Sequence, residues 1–307
     1  MRSIYAGKAN LALVLNGEQG CDLCLLLKDI PAVQTLYLQF DDEIDVEEMS
    51  KDFYINIANG LRPKTSLVSP GTFLEKVEEE VKKGNEVLYI SLAGGISGSY
   101  QAASMIADQV NDENKKVVCR VINSKTASFG EGMIAIYAHN LVKEGKSFDE
   151  VYNMTLEYVE TLRSEFTVDS IKYLAQSGRV NKLLATIANV LSIKPLLYGS
   201  PEGKIEVTSK VHGRVGALKT LANQVIDHIK DKESLVYIAH CNCIEDTKKF
   251  EAMLHEAGIT HTEIYYYDLV TGAHVGPGTI AVFYEGTTRI ISKKGVVSSL
   301  IGKIKGN

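Results

Sequence analysis

Short apolar runs alternate with amphipathic stretches through the first half of the chain. Leu11-Ala-Leu-Val-Leu15, Thr35-Leu-Tyr-Leu-Gln-Phe40, Val87-Leu-Tyr-Ile-Ser-Leu92 and Val117-Val-Cys-Arg-Val-Ile122 read as strands, rich in branched and aromatic side chains. Helical spacing lies between and after them, over 45–59, 69–83, 100–108 and 132–143. Ser69-Pro-Gly gives one of these helices a capping serine and a proline at its first helical position. Such alternation predicts a parallel sheet covered by helices on both faces, with ligands bound beyond the carboxyl ends of the strands.

The second half is patterned differently. Helical spacing over 147–163 and 180–191 precedes two apolar runs, Lys194-Pro-Leu-Leu-Tyr198 and Lys204–Lys210, that flank Gly199-Ser-Pro-Glu-Gly203 in the manner of a hairpin. Helices over 216–230 and 247–256 then alternate with strands at Leu235–His240, Glu263–Tyr267, Ile280–Tyr284 and Arg289–Ser292. This is the pattern of an α+β sheet domain. The boundary is expected near Thr161–Thr167, which divides the chain into residues 1–163 and 164–307. The stretch 181–193 is apolar nearly all round, which suits either a core helix or one wall of a long apolar cavity.

Composition narrows the classes of function. The chain has 307 residues, 45% of them hydrophobic, and a formal net charge of −5. That length accommodates two domains with cores of their own, and mild acidity argues against a nucleic-acid partner. No apolar run approaches the roughly 20 residues of a membrane span, so no integral membrane segment is expected. Leu11–Leu15 is followed by Asn16-Gly-Glu-Gln19 and not by a small-residue cleavage site, so the expected location is cytoplasmic. Five cysteines do not form a disulfide framework. Cys21-Asp-Leu-Cys24 has a spacing compatible with redox or zinc chemistry, or with two small apolar side chains packed in a helix. The only comparable cluster is Cys241-Asn-Cys243, and no metal or cofactor is expected.

Four polar clusters fall at predicted strand ends or turns. Thr65 and Ser66 lie upstream of the Ser69 cap, where they could contact a ligand or shape a local turn. After the strand ending at Leu92, Ala93-Gly-Gly-Ile-Ser-Gly-Ser99 leaves bare backbone and the hydroxyls of Ser97 and Ser99 at the start of a helix, with Gly98 between them. A helix N-terminus of this kind favours anions. The phosphate-loop and dinucleotide fingerprints are absent, and the hydrolase elbow is only approximated. Asn123 and Ser124 follow the next strand, as pocket groups or turn formers. His274 sits among glycines in Gly272-Ala-His-Val-Gly-Pro-Gly278, read as a loop, where a structural and a functional role are equally open.

Taken together, Thr65-Ser-Leu-Val-Ser-Pro-Gly, Ile96-Ser-Gly-Ser-Tyr-Gln-Ala-Ala, Tyr173-Leu-Ala-Gln-Ser-Gly-Arg-Val, Ile193-Lys-Pro-Leu-Leu, Lys210-Val-His-Gly-Arg and Gly272-Ala-His-Val-Gly-Pro-Gly resemble the ordered motifs of the DegV family. The resemblance spans roughly Phe40 to Phe283. It implies an α/β protein of two domains, an N-terminal Rossmann-like parallel sheet and a C-terminal α+β sheet domain, with one long-chain fatty acid held between them. It also implies a bacterial lipid carrier whose partner, an ATP-dependent fatty acid kinase, converts the bound acid to an acyl phosphate for phospholipid synthesis. By motif, Thr65, Ser97 and His274 would hold the carboxylate, and Arg179 and Arg214 would face the kinase.

Several positions depart from the family pattern. Family members usually open with a strand ending in Asp-Ser, where this chain has Val14-Leu-Asn-Gly17. Ala93-Gly94 replaces a serine-rich run, Asn123-Ser124 stands where Asp-Ser is common, and His212 sits within the basic motif. The carboxylate trio is untouched by these changes. The expected function is that of a carrier with no catalytic residues of its own. The alternative is an acyl hydrolase or transferase with Ser97 as nucleophile and His274 as base, for which no acidic orienter stands out.

Overall fold

The computed structural model describes residues 2–6, 11–15, 33–35, 46–67, 69–180 and 192–289. Two sheets stack with helices outside and between them. The first sheet comprises β1 (Arg2–Ala6), β2 (Leu11–Leu15), β3 (Val33–Thr35), β4 (Glu86–Ser91) and β5 (Cys119–Asn123), in the order β3-β1-β2-β4-β5. Strands β2, β4 and β5 run parallel, as the alternating pattern predicts. β1 and β3 extend the sheet in antiparallel fashion. The predicted strand at Thr35–Phe40 begins where β3 ends, and 36–40 lies outside the described residues. So do Cys21 and Cys24, the apolar stretch 181–191, and the last predicted strand beyond Arg289.

Outside this sheet lie α2 (Pro70–Lys82) and α3 (Ser99–Asn114). Phe73 and Val77 of α2 and Ala103, Ala107 and Val110 of α3 repeat at helical spacing, and all are buried. Pro70 occupies the first turn of α2 as expected, although the Ser69 hydroxyl makes no capping bond. On β4 the side chains alternate. Val87 and Tyr89 join the outer core, while Leu88 and Ile90 point inward.

The second sheet follows the order β10-β9-β11-β6-β7-β8. Its strands are β6 (Leu162–Thr167), β7 (Ile193–Gly199), β8 (Ile205–His212), β9 (Val236–His240), β10 (Thr262–Tyr266) and β11 (Ile280–Glu285). β7 and β8 form the predicted antiparallel hairpin, β9 and β10 are parallel, and the remaining pairs are antiparallel. The outer helices α7 (Arg214–His228) and α8 (Ile244–Glu256) cover Val236, Ile238, Ile280 and Val282. The opposite-facing residues Tyr237, Ala239, Ala281 and Phe283 belong to the inner core.

Between the sheets runs α4 (Phe129–Lys143), with α5 (Phe148–Thr161) beside it. α4 touches β1, β2 and β4 of the first sheet and β6 and β11 of the second. It is accordingly buried on nearly every side, from Phe129 through Ala135 to Val142. Phe129 packs its ring against Tyr237, Tyr265 and Phe283 at 5.6, 5.3 and 6.0 Å. α1 (Val46–Ala58) also crosses over. Its buried stripe of Ser50, Tyr54 and Ile57 faces β10 and the short helix α9 (Leu269–Val275) of the second half. A further short helix, α6 (Lys172–Ser177), lies against α9. Among the described residues, no helix is long and apolar enough to cross a membrane.

On the outer face of β6, Arg163 and Glu165 form an ion pair with side chains only 2% and 1% exposed. Arg163 also donates from Nε to Tyr284 Oη at 3.1 Å and from Nη1 to the Thr288 carbonyl at 2.6 Å. Loss of one partner strands the other charge. Glu165→Leu is therefore expected to cost about 3–5 kcal/mol in urea unfolding, and Arg163→Met in the same chain to recover much of it.

Candidate functional site

The candidate site lies where the two halves face one another. After α1 ends, Gly60 turns the chain at φ 113° and an irregular segment brings Thr65 to the mouth of a cavity. The turn after β4 delivers Ser97. From the other half, α9 supplies His274 and the segment after α6 supplies Arg179. All four line one cavity of about 380 Å³, with Leu67, Leu92, Leu174 and Val275 among its apolar walls. A smaller chamber of about 50 Å³ adjoins it, with Ile96, Ala127, Ile205, Thr271 and Val275 lining both. Phe166, Ala281 and Phe283 of the second sheet wall the smaller chamber.

His274 was expected in a loop but occupies the last turn of a helix. Asp268 starts that helix by accepting a hydrogen bond from the Thr271 amide at 2.7 Å, and Gly276 ends it at φ 79°. The helix then places Thr271, His274 and Val275 on one face. Thr271 is a lining residue that the sequence reading passed over, although its i, i+3 spacing from His274 would have shown it once a helix was assumed.

Thr65 Oγ1 and His274 Nε2 are 2.7 Å apart across 209 residues of sequence. Burial lowers the His274 pKa from 6.5 to about 4, with a smaller contribution from the Arg179 guanidinium. The imidazole is thus neutral near pH 7, and with one ring nitrogen as donor and the other as acceptor it can either donate to an anion or accept from Thr65. Ser97 is differently engaged. Its Oγ lies 3.0 Å from Ser99 Oγ and accepts from the Ser99 amide at 3.2 Å. Among the hydrogen bonds of the described residues, none joins Ser97 to His274, so the nucleophile–base pair required by the hydrolase reading is not formed.

The remaining candidates separate. Ser66 and Gly98 line the cavity, whereas Ser99 is buried behind Ser97. Asn123 is a turn former, its Oδ1 accepting from the amides of Gly94 and Lys125 at 3.1 and 3.0 Å. Ser124 is fully buried and bonds the Thr126 carbonyl at 3.1 Å. Arg179 donates to the Ser177 carbonyl at 2.7 Å and stands at the cavity wall. Arg214 is not among the lining residues. It is half-buried at the start of α7, where it pairs with Asp246 at 2.9 Å. The bare backbone at Gly94 and Gly95 has a different cause from ligand approach. A Cβ on Gly95 would lie 2.4 Å from the Gly203 carbonyl oxygen of the β7–β8 turn, and one on Gly94 would meet Tyr100 and Asn123. Gly95 thus lets the two halves close, while Gly94 serves packing within the first half. Among the described residues no cluster of His, Cys, Asp or Glu is placed to hold a metal ion.

With this geometry in hand, comparison with known proteins gives the family. A family model described as an uncharacterised protein of the DegV family matches residues 31–287. A DegV domain-containing protein of Clostridium perfringens is 34% identical over 253 residues, covering 82% of this chain and 87% of that one. The chain belongs to the DegV family. Its fold is similar to the crystal structure of a fatty acid binding DegV family protein from Streptococcus agalactiae, at a TM-score of 0.75 and 25% identity, covering 89% of this chain and 97% of that one. It is also similar to the fatty acid kinase (Fak) B3 protein of Streptococcus pneumoniae loaded with linoleic acid, at a TM-score of 0.65 and 20% identity, covering 80% and 85% of the two chains.

His240, buried on β9, likewise has its pKa lowered by burial from 6.5 to about 4. For both histidines the unfolded chain takes up its proton first as the pH falls. The stability they contribute is complete above 6.5, declines as the pH drops and is gone below about 4. Urea unfolding across that interval is expected to show this decline, and His274→Gln to remove the share due to His274.

Proposed function

We propose that this protein binds a long-chain fatty acid, with the carboxylate at Thr65, Ser97 and His274 and the chain running between apolar walls. The observation that carries the reading is the meeting of these three polar side chains, two from the first half and one from the second, in one cavity. A carboxylate there would accept hydrogen bonds from the hydroxyls and the imidazole, with Arg179 as a nearby counter-charge. The apolar walls suit the rest of the ligand, since each buried methylene contributes about 0.8 kcal/mol. The fatty acid named for the streptococcal relative of similar fold supports the same ligand class.

The finer reading is that of a lipid-carrying subunit presenting the carboxylate to a separate ATP-dependent kinase. In that step a carboxylate oxygen attacks the γ-phosphorus of ATP, the bond to the bridging oxygen breaks, and acyl phosphate and ADP result. The name of the pneumococcal neighbour points the same way. In this reading Arg179 stands at the cavity wall, where it would meet the new phosphoryl group, and Arg214 lies outside the cavity as a kinase-contact candidate. On the same reading, the acyl phosphate feeds phospholipid synthesis and the carrier acts in the cytoplasm.

Native mass spectrometry of the purified protein is expected to show a retained long-chain acid. Thr65→Ala combined with His274→Ala should lower occupancy about tenfold or more, as loss of two bonds to a charged group implies. Unchanged lipid content in the double variant would reject the carboxylate site. An empty wild-type protein with esterase activity lost in Ser97→Ala would reject the carrier reading altogether.

A further inference from the structure

Helix α9 is only two turns long, yet it holds His274 within bonding distance of Thr65. Its neighbours explain how it is held. Tyr54, fully buried on α1, donates from Oη to the Tyr267 carbonyl at 2.6 Å and approaches the Asp268 carbonyl at 3.3 Å, both at the entrance to α9. The hydroxyl end of the same ring abuts Gly272. A Cβ there would sit 2.0 Å from Tyr54 Oη and 2.7 Å from two ring carbons. At the other end a Cβ on Gly276 would fall 2.1 Å from the ring of Tyr173. Arg62, on the segment between α1 and Thr65, places its guanidinium 5.6 Å from the centre of that ring.

These contacts form a closed circuit. α1 grips the start of α9 through Tyr54, and eleven residues later the same chain grips its end through Thr65. Gly272 and Gly276 are thus read as seats for two aromatic rings, with His274 halfway between them.

We propose that Tyr54 is a positioning residue for the ligand-binding end of the cavity, fixing α9 through Gly272 so that His274 meets Thr65. The placement rests on the geometry alone, and its consequence for the ligand rests on the fatty acid reading. Tyr54 itself lines neither chamber, so its effect on the ligand passes through α9 and the residues at its start.

The test is Tyr54→Phe, which keeps the ring and removes the two contacts to backbone carbonyls. The His274 imidazole is followed by NMR titration in lipid-free protein, and acyl occupancy by native mass spectrometry. A loosened α9 would draw His274 away from Arg179 and admit water, relaxing both causes of its low pKa. The expected result is a titration moved from about 4 toward 6.5, with occupancy about three- to tenfold lower. A loss of thermal stability alone would not move the titration of the folded protein. A titration identical to wild type would overturn the proposal. Should Tyr54→Phe not fold, Gly272→Ala supplies the second test. A Cβ there would displace the Tyr54 hydroxyl, so the titration is expected to shift in the same direction, and an unchanged titration in Gly272→Ala would likewise overturn the proposal. If wild-type protein carries no lipid, the carrier reading fails while the titration still judges Tyr54.

Discussion

The site depends on one helix being shared by two sheets. α4 is packed by the first sheet on one side and the second on the other, and Phe129 at its start lies among Tyr237, Tyr265 and Phe283. Aromatic packing of this density leaves little freedom for the halves to shift relative to one another. Thr65 and Ser97 from one half and His274 and Arg179 from the other therefore meet at a fixed separation. The cavity is the part of this interface that side chains leave unfilled.

Glycines set how closely the remaining surfaces approach. The turn at Gly95 abuts Gly203 of the β7–β8 hairpin, and α9 abuts Tyr54 and Tyr173 at Gly272 and Gly276. Each contact would be blocked by a single Cβ. The glycine richness of these motifs thus reflects protein meeting protein more than protein meeting ligand. Ala93 of the same turn also faces the hairpin, its Cβ 3.3 Å from where a Cβ on Gly203 would stand, whereas Gly94 packs against Tyr100 and Asn123.

Charge is distributed to keep this interface in register. Arg289 is fully buried and donates to the carbonyls of Val159, Lys125 and Ser124 at 3.1, 2.8 and 3.4 Å. Burial lowers its pKa from 12.5 to about 10. It ties the end of the described chain to the segment whose Thr126 and Ala127 wall the smaller chamber. Asp268 is buried at the start of α9, and burial raises its pKa while the Ser128 hydroxyl and the Thr271 amide favour the charged form. Arg289 and Asp268 thus brace segments that line the two chambers without lining them themselves.

Period and motif determined much of this protein. The parallel strands β2, β4 and β5, the hairpin β7–β8 and helices α2, α5 and α8 follow from local alternation, helical spacing and caps, each a property of a few neighbouring residues. Ser97 and His274 stood out as polar residues among glycines and Thr65 as part of a hydroxyl-rich segment before a helix, and the family motifs grouped the three. What only the tertiary structure decided is which of these groups meet. His274 pairs with Thr65 and not with Ser97, Arg179 turns to the cavity while Arg214 pairs with Asp246, and Asn123 and Ser124 hold turns. α9 was hidden because a two-turn helix framed by glycines has too short a period to read, and Tyr54 because its partner lies more than two hundred residues away. Contacts across that separation are fixed by the packing of two sheets on α4, and no local pattern encodes them.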